Sequence, residues 1–373
     1  MSLAFNPNIA NAPVYVAGAP IEAIQRQYGL TDVIKLASNE NPLGPSPLAV
    51  AALQQAIGGL NRYPPMGDDD LRAVLAEVIG RGMQPGSFFT GNGASDILAM
   101  LAAAFLAPGD ECVICRPTFP VYESTARRIG AAVVYADLDP ENYSYDVETI
   151  LAAISGRTRL LYLCSPNNPT GTIITAEQME TLVNNLPEHV LLVADEVYFH
   201  FATRPDFPDT LAYVQAGKNV IIVHSFSKAF GLAGLRLGYA IAPAAITGYL
   251  ARVREPFHLS QLALVAGLAG LRDHGHVEQT VRLTLDGRAW LYEKLTALDL
   301  PVWPSQANFV LFRPPYPAAD VSKRLLRRGV IVRPMGQFYL PEHLRVTVGL
   351  PEENERFVAA LRESLAELAA EKI

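Results

Sequence analysis

Tryptophan occurs twice and cysteine three times in 373 residues, charged side chains make up only 18% of the chain, and no lysine- or arginine-rich tract is present. Each scarcity excludes something. Cys112, Cys115 and Cys164 lie in apolar segments and are too few to staple a secreted domain, so a reducing, cytoplasmic setting is expected. Cys112 and Cys115 form a C-x-x-C, but three residues apart on a strand they face opposite sides, and no second pair follows. His274 and His276 flank Gly275 without acidic or thiol partners and read as a polar helix break, so no metal is expected. A net charge of −7 without a basic tract speaks against nucleic acid as a partner. The longest apolar run, Ile97 to Ala107, falls short of the roughly 20 residues a bilayer span needs, and the opening residues lack the basic start and apolar core of a signal peptide, so no membrane partner is expected.

What is present is a large apolar complement, 50% of the chain, arranged in short runs. Residues 38 to 247 alternate strand and helix signals, the pattern of a mostly parallel sheet with helices on both faces, and are expected to form one large domain of an α/β protein. Residues 248 to 373 read as helices, then strands near Phe309, Ile331 and Val346, then a final helix, together a smaller α+β domain. In that helix Phe357, Leu361, Leu365 and Leu368 share one apolar face. Residues 1 to 37 read as an arm in which Pro7, Pro13, Gly18 and Pro20 break any regular element.

Four apolar runs end in polar clusters. Val220–His224 leads into Ser225, Ser227 and Lys228, with Arg236 eight residues on. Leu160–Cys164 leads into Ser165-Pro-Asn-Asn168-Pro-Thr-Gly171. Val190–Ala194 leads into Asp195-Glu-Val-Tyr198, and Ser87–Thr90 into Gly91-Asn-Gly93-Ala94-Ser95-Asp96 before a helical stretch. In an open parallel sheet, ligands sit beyond the carboxyl ends of the strands, so these clusters are expected to converge. Small residues opening a helix leave amide N–H groups and the positive end of its dipole free for an anion.

Together these parts supply an amine able to condense with an aldehyde, a buried carboxylate, neutral hydrogen-bonding groups and a phosphate cradle, the requirements of pyridoxal 5′-phosphate. Lys228 would form the Schiff base. Asp195 would pair with the ring nitrogen and keep it protonated, which makes the ring an electron sink. Asn168 and Tyr198 would reach the phenolic oxygen. Ser225, Ser227, Arg236 and the amides near Gly93, Ala94 and Ser95 would complete the cofactor site, chiefly at the phosphate.

With these segments, and with Leu36-Ala-Ser-Asn-Glu-Asn-Pro-Leu-Gly-Pro-Ser46, Asn61-Arg-Tyr-Pro64, Arg254-Glu-Pro-Phe-His-Leu-Ser260, Pro304-Ser-Gln-Ala-Asn-Phe309 and Leu344-Arg-Val-Thr-Val-Gly349 in order, the chain resembles the fold-type I aminotransferases nearly end to end, and among them the histidinol-phosphate aminotransferases. The resemblance implies that Lys228 is the catalytic lysine and also shuttles a proton, and that Phe119 stacks on the cofactor ring. It implies that Tyr63 enters the neighbouring subunit's phosphate site, which makes the enzyme a homodimer with shared sites. Arg345, Arg333, Asn39 and Tyr15 are its implied substrate contacts, Arg345 serving a carboxylate or a phosphate in turn. The implied reaction moves the amino group of L-histidinol phosphate to 2-oxoglutarate, giving imidazole acetol phosphate and L-glutamate in histidine biosynthesis.

Three positions depart from the family pattern where substrate choice is concerned. Phe257 stands where some relatives have tyrosine, His200 replaces an acidic residue, and Leu350 replaces threonine. An aromatic amino acid aminotransferase and a threonine-phosphate decarboxylase are the alternatives on the same scaffold. A pyridoxal-phosphate-sensing regulator would need a DNA-reading module, for which the chain shows no basic helix-turn-helix pattern.

Overall fold

The computed structural model describes residues 6–10 and 18–371. Its centre is a seven-stranded sheet whose strands run, edge to edge, Phe88–Gly91, Gly238–Ile241, Val220–Ser225, Leu191–Asp195, Thr158–Cys164, Glu111–Ile114 and Ala132–Tyr135. Gly238–Ile241 is antiparallel to both neighbours, and the remaining pairings are parallel. The inner strands are buried along their whole length apart from Arg159, which is why their sequences are near-continuous β-branched and leucine runs rather than alternating ones. Helices cover both faces. On one, Ile97, Leu98 and Leu101 of the helix Ala94–Phe105 pack with Cys112 and Val223; on the other, Cys115, Leu161 and Ile222 meet Leu182 and Met179 of the helix Ala176–Asn185. Cys112 and Cys115 thus fall in opposite cores, as the strand period requires.

Register aligns the carboxyl ends. Cys164 pairs with Asp195 and Asp195 with Val223, so the segments leaving the three central strands emerge side by side. This alignment turns three distant polar clusters into neighbours.

A four-stranded antiparallel sheet, ordered Arg333–Pro334, Leu344–Thr347, Phe309–Phe312, Val302–Trp303, is backed by the helices His274–Thr296, Ala318–Arg327 and Pro351–Ala370. Phe357, Leu361 and Leu368 of the last helix are buried and Leu365 partly so, the face its periodicity predicts. Arg333 pairs directly with Arg345 across two adjacent strands.

Two expectations about local structure are corrected. The residues before 38 contain a helix, Ile21–Tyr28, which begins immediately after Pro20 and ends at Gly29 with φ +67°. A proline ahead of a helix sacrifices no intrahelical hydrogen bond, so Pro20 opens the element instead of breaking it. Ile24 packs with Ala37 and Ile331, and Ile34–Lys35 pairs in parallel with Val330–Ile331, fastening this segment to the C-terminal strands. His274 and His276 do not break a helix: they open the 274–296 helix, which Asp273 caps by accepting from the His276 amide at 3.3 Å. The break falls just before them.

Candidate active site

A cavity of about 540 Å³ lies beyond the carboxyl ends of the central strands, closed on its far side by the four-stranded sheet. Its lining includes Asn39, Ala94, Ser95, Phe119, Asn168, Asp195, Tyr198, Ser225, Ser227, Lys228, Arg236, Arg333 and Arg345. Gly93 adjoins it as the N-cap of the helix Ala94–Phe105. Tyr63 does not line it. That side chain is 82% exposed and stacks on Phe257 with ring centroids 4.6 Å apart. Tyr15 lies outside the described residues.

Lys228 follows the Val220–Ser225 strand by three residues, and its Nζ donates to the Asn39 carbonyl at 3.1 Å and lies 5.5 Å from the Tyr198 ring centroid. Burial, with Arg345 and Arg236 adding like charge, brings its pKa down to about 8. An amine so placed is partly neutral near physiological pH and therefore nucleophilic.

Asp195 ends its strand almost fully buried. Loss of hydration pushes its carboxyl up to about 6, and the rise is restrained by two donors: the Tyr122 hydroxyl, 2.5 Å from Oδ2, and the Val197 amide, 3.3 Å from Oδ1. Such a carboxylate gains most by meeting a cation inside the cavity.

Asn39 joins several of these groups. Its Nδ2 donates to the Tyr198 hydroxyl at 2.9 Å, its amide donates to Thr347 Oγ1 at 2.9 Å, and Thr347 Oγ1 donates back to Asn39 Oδ1 at 3.1 Å. The backbone is left-handed here, φ +56°, a conformation that asparagine tolerates better than most residues. Arg345 donates from Nη1 to Asn168 Oδ1 and from Nη2 to the Ala37 carbonyl at 2.8 Å, and its guanidinium lies 5.0 Å from the Phe309 ring centroid. Arg333 donates to Gln337 Oε1 at 3.2 Å.

At the opposite end, Gly93 has φ +91°, and a Cβ there would stand 2.6 Å from Arg236 Nη2. Gly238 is as confined, since its Cβ would lie 2.6 Å from the Ala94 amide nitrogen. These glycines let a guanidinium and the first-turn amides of the 94–105 helix approach one point, an arrangement suited to a phosphate. The amine, the buried carboxylate and this cradle share one cavity, and their chemistry fits pyridoxal phosphate.

The family model for aminotransferase class I and II matches residues 31–361. The chain belongs to that family. Histidinol-phosphate aminotransferase of Moorella thermoacetica is 44% identical over 353 residues, covering 94% of this chain and 90% of the relative. That of Symbiobacterium thermophilum is likewise 44% identical over 353 residues, covering 95% and 96%. Among solved structures, histidinol-phosphate aminotransferase from Sinorhizobium meliloti in complex with pyridoxal-5′-phosphate superposes with a TM-score of 0.89 at 27% identity, covering 98% of both chains. Aspartate aminotransferase from Thermus thermophilus with maleate superposes with a TM-score of 0.83 at 28% identity, covering 99% and 100%. This aminotransferase is a pyridoxal-phosphate-dependent enzyme of the fold-type I class, acting on small molecules. No helix among its described residues is long and apolar enough to cross a membrane.

Of the three departures from the family pattern, none lines the cavity. His200 is half-buried between Phe199 and Phe230, and loss of hydration holds it neutral, its pKa lowered to about 3. Leu350 caps the last helix, its amide donating to Glu353 Oε2 at 2.8 Å. Phe257 contacts Tyr63. Sequence reasoning missed Tyr122, Thr347 and Phe338, the last of which also lines the cavity. Tyr122 stands three residues after Phe119, in the first turn of the helix Val121–Ile129, but nothing in the residue order names Asp195 as its partner.

Proposed function

We propose that this aminotransferase takes its amino group from L-histidinol phosphate and delivers it to 2-oxoglutarate, in histidine biosynthesis. The reading is carried by Arg333 and Arg345, two guanidiniums on paired strands facing one cavity. A planar fork of donors serves a phosphate and a carboxylate alike, as a donor without an α-carboxylate and a dicarboxylate acceptor require. The names of the relatives, 44% identical over nearly the whole chain, support the same donor.

Bound pyridoxal phosphate supplies the electron sink for the substrate's α-carbon. Lys228 holds it through Nζ and, when released, carries the proton at that carbon. Asp195 holds the proton at the ring nitrogen. Asn168, whose Oδ1 is occupied by Arg345, is left with Nδ2 as a donor to the phenolic oxygen. Tyr198, whose oxygen accepts from Asn39, directs its own proton there. Ser225 Oγ accepts from the Ser227 amide at 3.0 Å, leaving its hydroxyl proton for the phosphate, alongside Ser227, Arg236 and the amides after Gly93. Phe119 covers the ring face. Asn39 fixes the substrate end of the cavity together with both arginines.

The enzyme acts as a homodimer, in this proposal, with Tyr63 completing the partner's phosphate site. Leu48, Ile57, Leu60, Tyr63 and Met66 leave apolar surface exposed along one stretch of chain, the character of a self-association face. Three buried, unpaired cysteines support a cytoplasmic location.

Single-turnover absorbance of the holoenzyme mixed separately with L-histidinol phosphate, L-phenylalanine and L-threonine phosphate tests the donor. Rapid conversion to the pyridoxamine form with histidinol phosphate alone is expected. Conversion mainly with phenylalanine makes the enzyme an aromatic aminotransferase, and carbon dioxide release from threonine phosphate makes it a decarboxylase.

A further inference from the structure

Asp195 has two carboxylate oxygens, and neither is left bare by the protein. Oδ1 accepts from the Val197 amide at 3.3 Å, and Oδ2 accepts from the Tyr122 hydroxyl at 2.5 Å. Tyr122 is fully buried in the helix Val121–Ile129 and does not line the cavity. It stacks on Tyr162 with centroids 5.0 Å apart and an interplanar angle of 16°, and meets Phe119 edge-on at 5.9 Å and 84°. One phenol therefore touches both groups read as gripping the cofactor ring, the carboxylate at its nitrogen and the aromatic over its face.

We propose that Tyr122 is a positioning residue that keeps Asp195 ionised and aimed at the ring nitrogen, so that the proton of the carboxylate–ring pair resides on nitrogen. The inference rests on Asp195 facing that nitrogen, as read above. Three observations support it. The shorter of the two bonds is the phenol's, and a donor hydrogen-bonded to a carboxylate stabilises its charged form. Burial, then the adjacent Asp195, raises Tyr122 well above the ordinary tyrosine range, so it keeps its proton and remains a donor across the working pH range. Asp195 itself, lifted to about 6 by burial, would rise further without this bond. The proton would then move from nitrogen to carboxylate, and the electron sink would weaken.

The test is the ¹⁵N resonance of ring-labelled pyridoxal phosphate bound to the wild-type enzyme, Tyr122→Phe, Tyr162→Phe and Asp195→Ala. Tyr162→Phe removes a buried hydroxyl from the same stack without touching Asp195. The wild type and Tyr162→Phe should show a protonated nitrogen. Tyr122→Phe should move the resonance toward the free-base position and raise the cofactor dissociation constant roughly tenfold or more, the loss expected for a hydrogen bond to a charged group. Asp195→Ala should complete the movement. A resonance that shifts in Asp195→Ala and stays fixed in Tyr122→Phe overturns the role of Tyr122 and leaves that of Asp195 intact. A resonance that shifts in neither removes Asp195 from the ring nitrogen, and this inference with it. Should Tyr122→Phe fail to fold, the wild-type proton spectrum decides: a short phenol–carboxylate bond requires a far-downfield, exchange-protected resonance, and its absence overturns the proposal.

Discussion

Asn39 Nδ2 donates to the Tyr198 hydroxyl at 2.9 Å, across 159 residues of chain and without exposure of either group. The bond fixes which way the phenol points, and the left-handed backbone at Asn39 fixes the amide that makes it. Asn39→Gly, which keeps φ +56° accessible and removes the side chain, should lower kcat/KM roughly tenfold to a hundredfold, the range for leaving a buried polar group unpaired. Steady-state kinetics and a thermal melt separate this loss from unfolding. An unchanged kcat/KM would show that Tyr198 is oriented without Asn39.

Lys228→Ala should abolish covalent attachment of the cofactor and cut turnover at least about a hundredfold, the low end for a positioned proton-transfer group. Absorbance after borohydride treatment checks the first effect and product formation the second. In the wild-type protein stripped of cofactor, the capture rate of added pyridoxal phosphate should rise with pH, reach half its plateau near 8 and level off above it, because burial brings the lysine there and the neutral amine is the nucleophile. A rate still climbing steeply to pH 10 would mean an unperturbed lysine.

Arg345→Lys keeps the charge but loses the fork that grips Asn168 and the Ala37 carbonyl. The KM for histidinol phosphate and for 2-oxoglutarate should both rise, each roughly tenfold or more. A change in only one would show that the two substrates do not share this arginine.

Glu196 is buried behind Asp195, with Oε2 3.4 Å from His224 Nε2. Burial raises its carboxyl to about 8. Below the ordinary carboxyl range the group is protonated in folded and unfolded chains alike and costs nothing. Between about 4.5 and 8 the unfolded chain ionises first, so this residue lowers stability progressively as pH rises, and the loss is constant above 8. Glu196→Gln should therefore match the wild type near pH 4 and exceed it at pH 8 by on the order of 4 kcal/mol. Urea unfolding at the two pH values measures the difference, and a gain equal at both would assign it to packing instead of titration.

Much of this arrangement was legible in the residue order. Lys228, Asp195 and Asn168 each follow an uninterrupted apolar run, and a buried parallel strand has no other appearance in sequence. Gly93 marks the cradle because its φ of +91° is a backbone conformation that residues with a Cβ rarely adopt. The helix Ile21–Tyr28 was not legible, because Pro20 and Gly29 mark its two ends as readily as they would mark a loop. Tyr122 was not legible either: a tyrosine in a short amphipathic helix looks the same whether its hydroxyl meets solvent or Asp195.

Residue order by itself determined the central strands, their carboxyl-end chemistry and the kind of cofactor they suit, since hydrophobic period, glycine placement and side-chain chemistry are local properties. Tertiary structure alone decided the pairings that tune the chemistry: Tyr122 on Asp195, Asn39 on Tyr198, Arg345 on Asn168. Those bonds join residues 73 to 177 positions apart, and their formation depends on strand register and helix packing, which emerge only when the whole core closes.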